Sequence, residues 1–414
     1  MEILHLSTSD IDNGGARAAY RLHDGLRSLG CRSKMLVRTK YSADPTVLTE
    51  RSPLTRLSPP ISEIPLRFYP KYNSPMFSPQ WFPDVLAKRV TQFNPDIINL
   101  HWVCNGYLQI ETLAKFSQPL VWTLHDMWQF TGGCHYTQEC EKYKESCGDC
   151  PQLQSSRSSD LSRWVWQRKA KAWKNLNLTI VATSNWMADC ARSSSLFKDL
   201  RVEIIPCCLD TQKYKPINQQ IARELLNLPQ ERELVLFGAI NGTSDRRKGF
   251  QLLQPALQQL SKAGWKEQIE LVVFGTSEPE KPIDLGFKIH YQGYVRDDIS
   301  LALIYSAADV MVIPSVQEAF GQTASEALSC GTPVVAFNAT GLKDIVDHQQ
   351  NGYLATPFEV DDLAKGIAWV LEDKERQQKL RFQARQKSLR EFASERQAYR
   401  YLSLYQELFA TIQE

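Results

Sequence analysis

Nine residues near the C-terminal end, Glu318-Ala-Phe-Gly-Gln-Thr-Ala-Ser-Glu326, hold two carboxylates eight positions apart around a Phe-Gly turn. The apolar run Ala308-Asp-Val-Met-Val-Ile-Pro314 in front of them reads as a buried strand. Ala324–Cys330 behind reads as a short helix, stopped by Gly331 with Pro333 just beyond. Both acids therefore sit where a strand hands over to a helix, which in an open α/β sheet is where ligands bind. A helix start offers N–H groups to anionic or hydroxyl-rich ligands, and a nearby carboxylate grips vicinal hydroxyls. That chemistry suits a nucleotide sugar.

Other segments add to it. A diphosphate leaving group gains charge as its bond to a sugar breaks, so a site without a metal needs fixed cations. Asp245-Arg246-Arg247-Lys248-Gly249 supplies them between a strand and a helix. Asn13-Gly14-Gly15 follows the first predicted strand, and glycines there let a backbone approach a phosphate closely. His101 and His125-Asp126 each end a strand-like run. Cys134, Cys140, Cys147 and Cys150 crowd one polar loop. Four thiolates ending in Cys-x2-Cys suit a structural zinc with His135 as a spare ligand; buried free thiols are the competing reading, and disulfides, which a reducing cytoplasm opposes, come last.

The elements that must position these residues alternate strand and helix nearly end to end, the mark of parallel sheets with crossover helices. Ile3–Ser7, Met35–Arg38, 95–101, 119–125 and Ile180–Ser184 read as strands of a first half, with a helix over Ala16–Leu29. Residues 41–83, rich in Pro, Ser and aromatics, read as an irregular surface loop or acceptor-side lid. The second half opens with a strand over Glu233–Ile240, then a helix over Gly249–Ala263 and a strand over Ile269–Gly275. The predicted domains are 1–206 and 207–384, with a helix over about 385–414 returning to the first. A chain of 414 residues suits two domains. A net charge of +2 gives no warrant for nucleic-acid binding. No apolar run approaches the ~20 residues of a membrane span, and Met-Glu-Ile-Leu-His lacks the features of a secretory signal. The expected place is the cytoplasm, with at most peripheral contact at the inner membrane face.

The nonapeptide, with its Cys-Gly-Thr-Pro-Val-Val sequel, resembles the Glu-x7-Glu signature of retaining glycosyltransferases of the two-Rossmann-domain (GT-B) type, family 4 in particular. The resemblance implies two Rossmann-like domains facing an interdomain cleft. It makes Glu326 the ribose ligand and Glu318 the ligand of the donor-sugar hydroxyls. The backbone N–H groups of Phe320, Gly321, Gln322 and Thr323 would face the sugar and diphosphate. Arg247 and Lys248 match the family's basic element; Ala239 stands where an arginine is frequent, which leaves Arg246 as the reserve. Gly14 and Gly15 would close over the diphosphate, Tyr294 and Val295 would frame the base, and His125 would contact the sugar or reacting centre. Asp126 is the weaker candidate for an acceptor-side role. The implied reaction is transfer of a hexosyl unit from a nucleotide diphosphate sugar to a glycan or lipid-linked oligosaccharide, without a catalytic metal. A similar Trp-x-x-Thr-Gly-Gly-Cys-His run in polysaccharide-assembly transferases points to exopolysaccharide or cell-surface polysaccharide.

The rivals are an epimerase or hydrolase on the same fold and a non-catalytic nucleotide-sugar-binding protein. The first would need a further acid/base set; the second is opposed by the intact acids and cations. A dinucleotide oxidoreductase is disfavoured by the missing Gly-x-Gly-x-x-Gly.

Overall fold

The structure is a computed structural model and describes residues 1–72, 76–238, 245–280, 283–295 and 297–413. The chain forms two compact units, Met1–Cys208 with Ser394–Glu414, and Leu209–Ala393.

The first unit is built on seven parallel strands: β1 (Glu2–Ser9), β2 (Arg32–Thr39), β3 (Val47–Thr49), β4 (Ile97–Leu100), β5 (Leu120–Leu124), β6 (Leu178–Ala182) and β7 (Arg201–Ile204). Their order is β3-β2-β1-β4-β5-β6-β7, so the winding reverses between β1 and β4. The central strands bury both faces, which is why they read as unbroken apolar runs rather than alternating ones. The segment around Val202, just before the predicted division at 206, is the last strand of this sheet.

The Ser394–Gln413 helix belongs to this unit. Its Tyr405 hydroxyl accepts from Asn99 at 2.7 Å, and Tyr401 meets Thr123 at 3.1 Å, so buried polar atoms on β4 and β5 are satisfied. A Cβ on Gly25 would lie 3.1 Å from that of Ala398, so glycine lets the first helix, Gly14–Ser28, lie close against the last. The return begins at Ser394 rather than near 385 because Lys374–Glu391 is one continuous helix pinned in the second unit. Arg385 donates to the carbonyls of Tyr214 and Thr211, and Arg381 to that of Ala308.

The described part of residues 41–83 holds more regular structure than its composition suggests. It contains β3, a helix Pro53–Ser62 and a tight turn Ile64–Phe68. Ser52 caps the helix by accepting from Thr55 at 3.2 Å, and Pro53 at the first position has no N–H to lose.

The second unit carries six parallel strands: β8 (Glu233–Gly238), β9 (Ile269–Phe274), β10 (Ile289–Tyr291), β11 (Val310–Ile313), β12 (Val334–Phe337) and β13 (Gly352–Ala355). Their order, β10-β9-β8-β11-β12-β13, is that of a dinucleotide-fold sheet, with the reversal between β8 and β11. The last two residues of the strand expected over 233–240 lie outside the described residues. Val235, Leu271, Val310, Val335, Leu257 and Ile367 form the core between this sheet and its helices.

Candidate active site

The chemistry-bearing loops of the second unit leave the carboxyl ends of β8 and β11, the two strands that flank its reversal. Main-chain turns run in opposite directions there and open a crevice. The loop after β8 ends in a short turn, Arg246–Lys248, capped by Asp245, whose carboxylate accepts from the Arg247 amide at 3.0 Å and its guanidinium at 2.8 Å. Val316 N–H donates to the Arg247 carbonyl at 2.8 Å, which stitches this loop to the one after β11. Gly249 completes the contact at φ +77°; a Cβ there would sit 1.7 Å from the Pro314 carbonyl oxygen, so no side chain fits.

Glu318 is the centre of this arrangement. Lys248 Nζ stands 2.5 Å from its Oε1, Ser315 Oγ donates to the same oxygen at 3.0 Å, and Arg247 lies 4.0 Å from Oε2. Burial alone would raise this carboxyl, but Lys248, then Arg247, hold it below the usual carboxylate range. Its main chain is fixed by the loop after β12: the Glu318 amide donates to Thr340 Oγ1 at 3.1 Å, and the Gly341 amide to the Glu318 carbonyl at 2.9 Å. Arg246, in contrast, is exposed.

Glu326 lies one turn into the Gln322–Ser329 helix, 5% exposed, and accepts from the buried Tyr305 hydroxyl at 2.9 Å. Burial, then Glu326, raises Tyr305 well above an ordinary phenol, so it remains a donor. Gly321 caps the helix at φ +105°, and Phe320 is buried edge-on against Phe392. The first amides of a helix precede its i to i−4 ladder and face its N-terminus. A pocket here is lined by Gly238, Lys248, Ser315, Glu318 and Thr323, with Phe237, Phe250 and Phe274 as its apolar wall. The structure thus brings Lys248, Glu318 and Thr323 to one cavity with Arg247 beside them. Glu326 does not line that cavity. Tyr294, after β10, is 58% exposed, and Val295 is half-buried.

In the first unit three histidines form a chain that runs from the middle of β1 to the carboxyl ends of β4 and β5. His5 Nδ1 is 2.9 Å from His101 Nε2, and His101 Nδ1 is 3.1 Å from His125 Nε2. The rings of His101 and His125 stack at 5.3 Å. Burial holds His125 down to about 4 and His5 and His101 well below the usual range, so all three are neutral at pH 7. A neutral imidazole has one N–H and one lone pair. The two contacts must therefore point the same way along the chain, which couples the three tautomers. His5 Nε2 is buried without a partner among the described residues. If it is the lone pair that goes unpaired there, rather than an N–H, His125 carries its proton on Nδ1 and presents a donor.

Gly14 and Gly15 are the first residues of a helix capped by Asn13, which accepts from Ala16 N–H at 3.1 Å, rather than a turn before it. A Cβ on Gly15 would meet the His125 Cβ at 3.4 Å, ordinary contact, so this helix start lies beside the histidine. Asp126 is committed to structure. Its Oδ2 accepts from His135 Nδ1 at 2.6 Å and Trp102 Nε1 at 2.9 Å, and its Oδ1 from the Trp128 amide at 2.9 Å.

His135 is not a spare metal ligand either, because its other nitrogen meets Ser78 Oγ at 2.9 Å. Cys134, Cys147 and Cys150 are buried and Cys140 is half-buried, all as free thiols. Among the described residues no group of three or more His, Cys, Asp or Glu is placed to hold a metal ion. Buried Lys169 fastens the same loop, donating to the carbonyls of Trp128 and Thr131 with its Nζ 3.5 Å from the Trp128 ring centre.

Residues 12–213 match the family profile described as Glycosyltransferase Family 4, and residues 218–387 that described as Glycosyl transferases group 1. The chain belongs to glycosyltransferase family 4. It is 28% identical over 327 residues to a D-inositol 3-phosphate glycosyltransferase of Xylanimonas cellulosilytica, covering 75% of this chain and 71% of that one. It is 23% identical to a putative colanic acid biosynthesis glycosyl transferase, WcaC, of Escherichia coli, covering 84% and 85%. Among solved structures it is similar to Anabaena HepE in complex with UDP-glucose, at a TM-score of 0.67 and 18% identity over 97% of this chain and 99% of that one. The two parallel-sheet α/β units are those of a GT-B glycosyltransferase.

Three supports of this family 4 site escaped sequence reasoning. Tyr305 and Thr340 act on the acids from 21 and 22 residues away, and neither carries a motif. His5 lies inside an apolar strand, where a polar residue among Ile3, Leu4 and Leu6 was the available signal.

Proposed function

We propose that this family 4 enzyme moves a hexosyl unit from a nucleoside diphosphate sugar to a hydroxyl of a glycan or lipid-linked acceptor, with retention at the anomeric carbon, in the assembly of an exopolysaccharide or cell-surface polysaccharide. The observation that carries the reading is Glu318 held between Lys248 and Arg247 at the reversal of the second sheet. In that reading Glu318 takes the sugar hydroxyls, Lys248 and Arg247 take the diphosphate, and Glu326, steadied by Tyr305, takes the ribose. The amides of Phe320, Gly321, Gln322 and Thr323 complete the anion site, and Tyr294 and Val295 frame the base. In the first unit the helix start at Gly14 and Gly15 and the donor face of His125 serve the diphosphate and reacting sugar.

The bond from C1 of the sugar to the phosphate oxygen breaks with its electron pair leaving on the diphosphate, where the two cations neutralise the growing charge. The acceptor oxygen bonds to C1 on the face being vacated, and its proton passes to the departing phosphate oxygen. No covalent glycosyl-enzyme forms. The similarity to a structure with UDP-glucose and to a colanic acid enzyme supports a UDP-hexose donor and a polysaccharide acceptor.

A thermal-shift panel of UDP, GDP, ADP and NAD tests the class. Stabilisation by a nucleoside diphosphate and none by NAD is the expected result. The anomeric configuration of the product, read by NMR with the matching donor, then tests retention; an inverted product would overturn the mechanism.

A further inference from the structure

The Pro53–Ser62 helix is amphipathic the wrong way round for a helix that meets only protein and water. Thr55, Ser58 and Ser62, at i, i+3 and i+7, are its buried stripe, 8%, 1% and 2% exposed. The stripe one residue back, Leu54 and Leu57, faces outward, 39% and 55% exposed. The buried stripe has a packing reason. A Cβ on Gly106 would come within 2.6 Å of the Ser58 carbonyl oxygen, so the helix lies so close to its neighbour that only small side chains fit beneath it. Their hydroxyls are satisfied on the helix itself, Ser58 Oγ donating to the Thr55 carbonyl at 3.0 Å and Ser62 Oγ to that of Pro59 at 2.8 Å. Nothing in that packing calls for leucine on the outer face, where water favours polar residues.

The apolar surface continues past the helix. Ile64 is 38% and Phe68 80% exposed on the following turn. Phe68 is held in that position, because the next residue is anchored: the Tyr69 hydroxyl accepts from the Leu161 amide at 2.8 Å. Isolated surface hydrophobics are ordinary, but four within fifteen residues on one helix-turn segment make a patch. Interleaved with them are Arg51, Arg56, Arg67 and Lys71, all exposed, against the single carboxylate Glu63. Among the described residues none of these four cations is in an ion pair.

Apolar side chains on the outer face of a short helix, interleaved in sequence with exposed cations that form no ion pair among the described residues, fit the boundary between acidic headgroups and acyl chains. No helix among the described residues is long and apolar enough to cross a membrane, so contact through this segment would be interfacial. We propose that residues 51–71 are a docking surface for a bilayer rich in anionic lipid. Leu54, Leu57, Ile64 and Phe68 enter the interface, and Arg51, Arg56, Arg67 and Lys71 lie against the headgroups. The proposal stands apart from the donor chemistry, since none of these residues belongs to the site above.

Flotation of the full chain with phosphatidylcholine vesicles and with vesicles that also contain phosphatidylglycerol tests it. The chain should float with the anionic vesicles and release as salt rises. Arg56→Gln with Arg67→Gln should weaken that binding about 25-fold, from roughly fivefold per cation, and change little on neutral vesicles. Leu57→Glu with Phe68→Glu should abolish it while leaving circular dichroism and the midpoint of thermal unfolding unchanged. Failure of the natural sequence to float with anionic vesicles overturns the proposal. So does a concentration-dependent dimer in sedimentation that the Leu57→Glu, Phe68→Glu chain loses, since the face would then be an interface between copies.

Discussion

Glu318→Gln separates the two roles packed into one ion pair. Lys248 Nζ is 2.5 Å from Glu318 and 22% exposed, so the lysine meets a bound phosphate only by sharing or giving up a charge-assisted hydrogen bond. Such a bond contributes about 1.5–3 kcal/mol. The lower end applies here because the lysine is partly solvated and Arg247, 4.0 Å away, compensates in part. Amide substitution removes that competition and leaves both cations facing the diphosphate. The bare nucleoside diphosphate should then bind about tenfold more tightly. The same change weakens the grip on the sugar hydroxyls, so kcat/KM for transfer should fall roughly 10- to 100-fold. Titration calorimetry with the nucleotide chosen by thermal shift, beside steady-state rates with its sugar conjugate, reads both numbers. Lys248→Met is the control and should weaken nucleotide binding about tenfold or more. If Glu318→Gln weakens the bare nucleotide as much as it slows transfer, the pair is not the counter-ion switch drawn here and the assignment of Lys248 to the diphosphate fails.

Gly249→Ala places a methyl group 1.7 Å from the Pro314 carbonyl and forces φ +77° on an L-residue, so it should cost about 3 kcal/mol or more and abolish nucleotide binding, read by calorimetry of unfolding and by titration. His101→Leu breaks the histidine chain without touching solvent; kcat should fall about tenfold with KM within twofold, and an unchanged kcat would remove His101 as a positioning residue. Stability should peak between about pH 6.5 and 8.5. Burial above all holds His23 down to about 4, so below about 6.5 the unfolded chain binds a proton that the folded one refuses; at pH 5 that costs about 2 kcal/mol, and His23→Gln should remove that share of the acid limb, while buried His5, His101 and His125 keep the rest. On the alkaline side burial raises Cys147 to about 11 and Cys207 to about 12, so the unfolded chain releases protons first and unfolding midpoints should fall above about 8.5.

What could be read from the sequence was what one local segment decides. The strand and helix around Glu318 and Glu326 are set by an apolar run, a glycine at φ +76° after the helix and the proline beyond it, all between Ala308 and Pro333. Parallel-sheet architecture followed from the same kind of local evidence, because strands buried on both faces cannot alternate. The residues that hold the site were not legible for the opposite reason. Thr340 reaches Glu318 only because β12 pairs beside β11, and Tyr305 reaches Glu326 from a helix that precedes the signature. His5, His101 and His125 meet because β1 and β4 are neighbours although almost ninety residues separate them. Asp126 and His135 were misread for a related reason: a polar residue at a strand end looks available until the loop that folds over it claims every oxygen and nitrogen. The Leu54 and Leu57 stripe is the converse. Periodicity alone would turn it inward, and only the approach of Gly106 to the serine face reverses the helix. Sequence thus marks where chemistry can occur, and sheet order decides which side chains remain free to perform it.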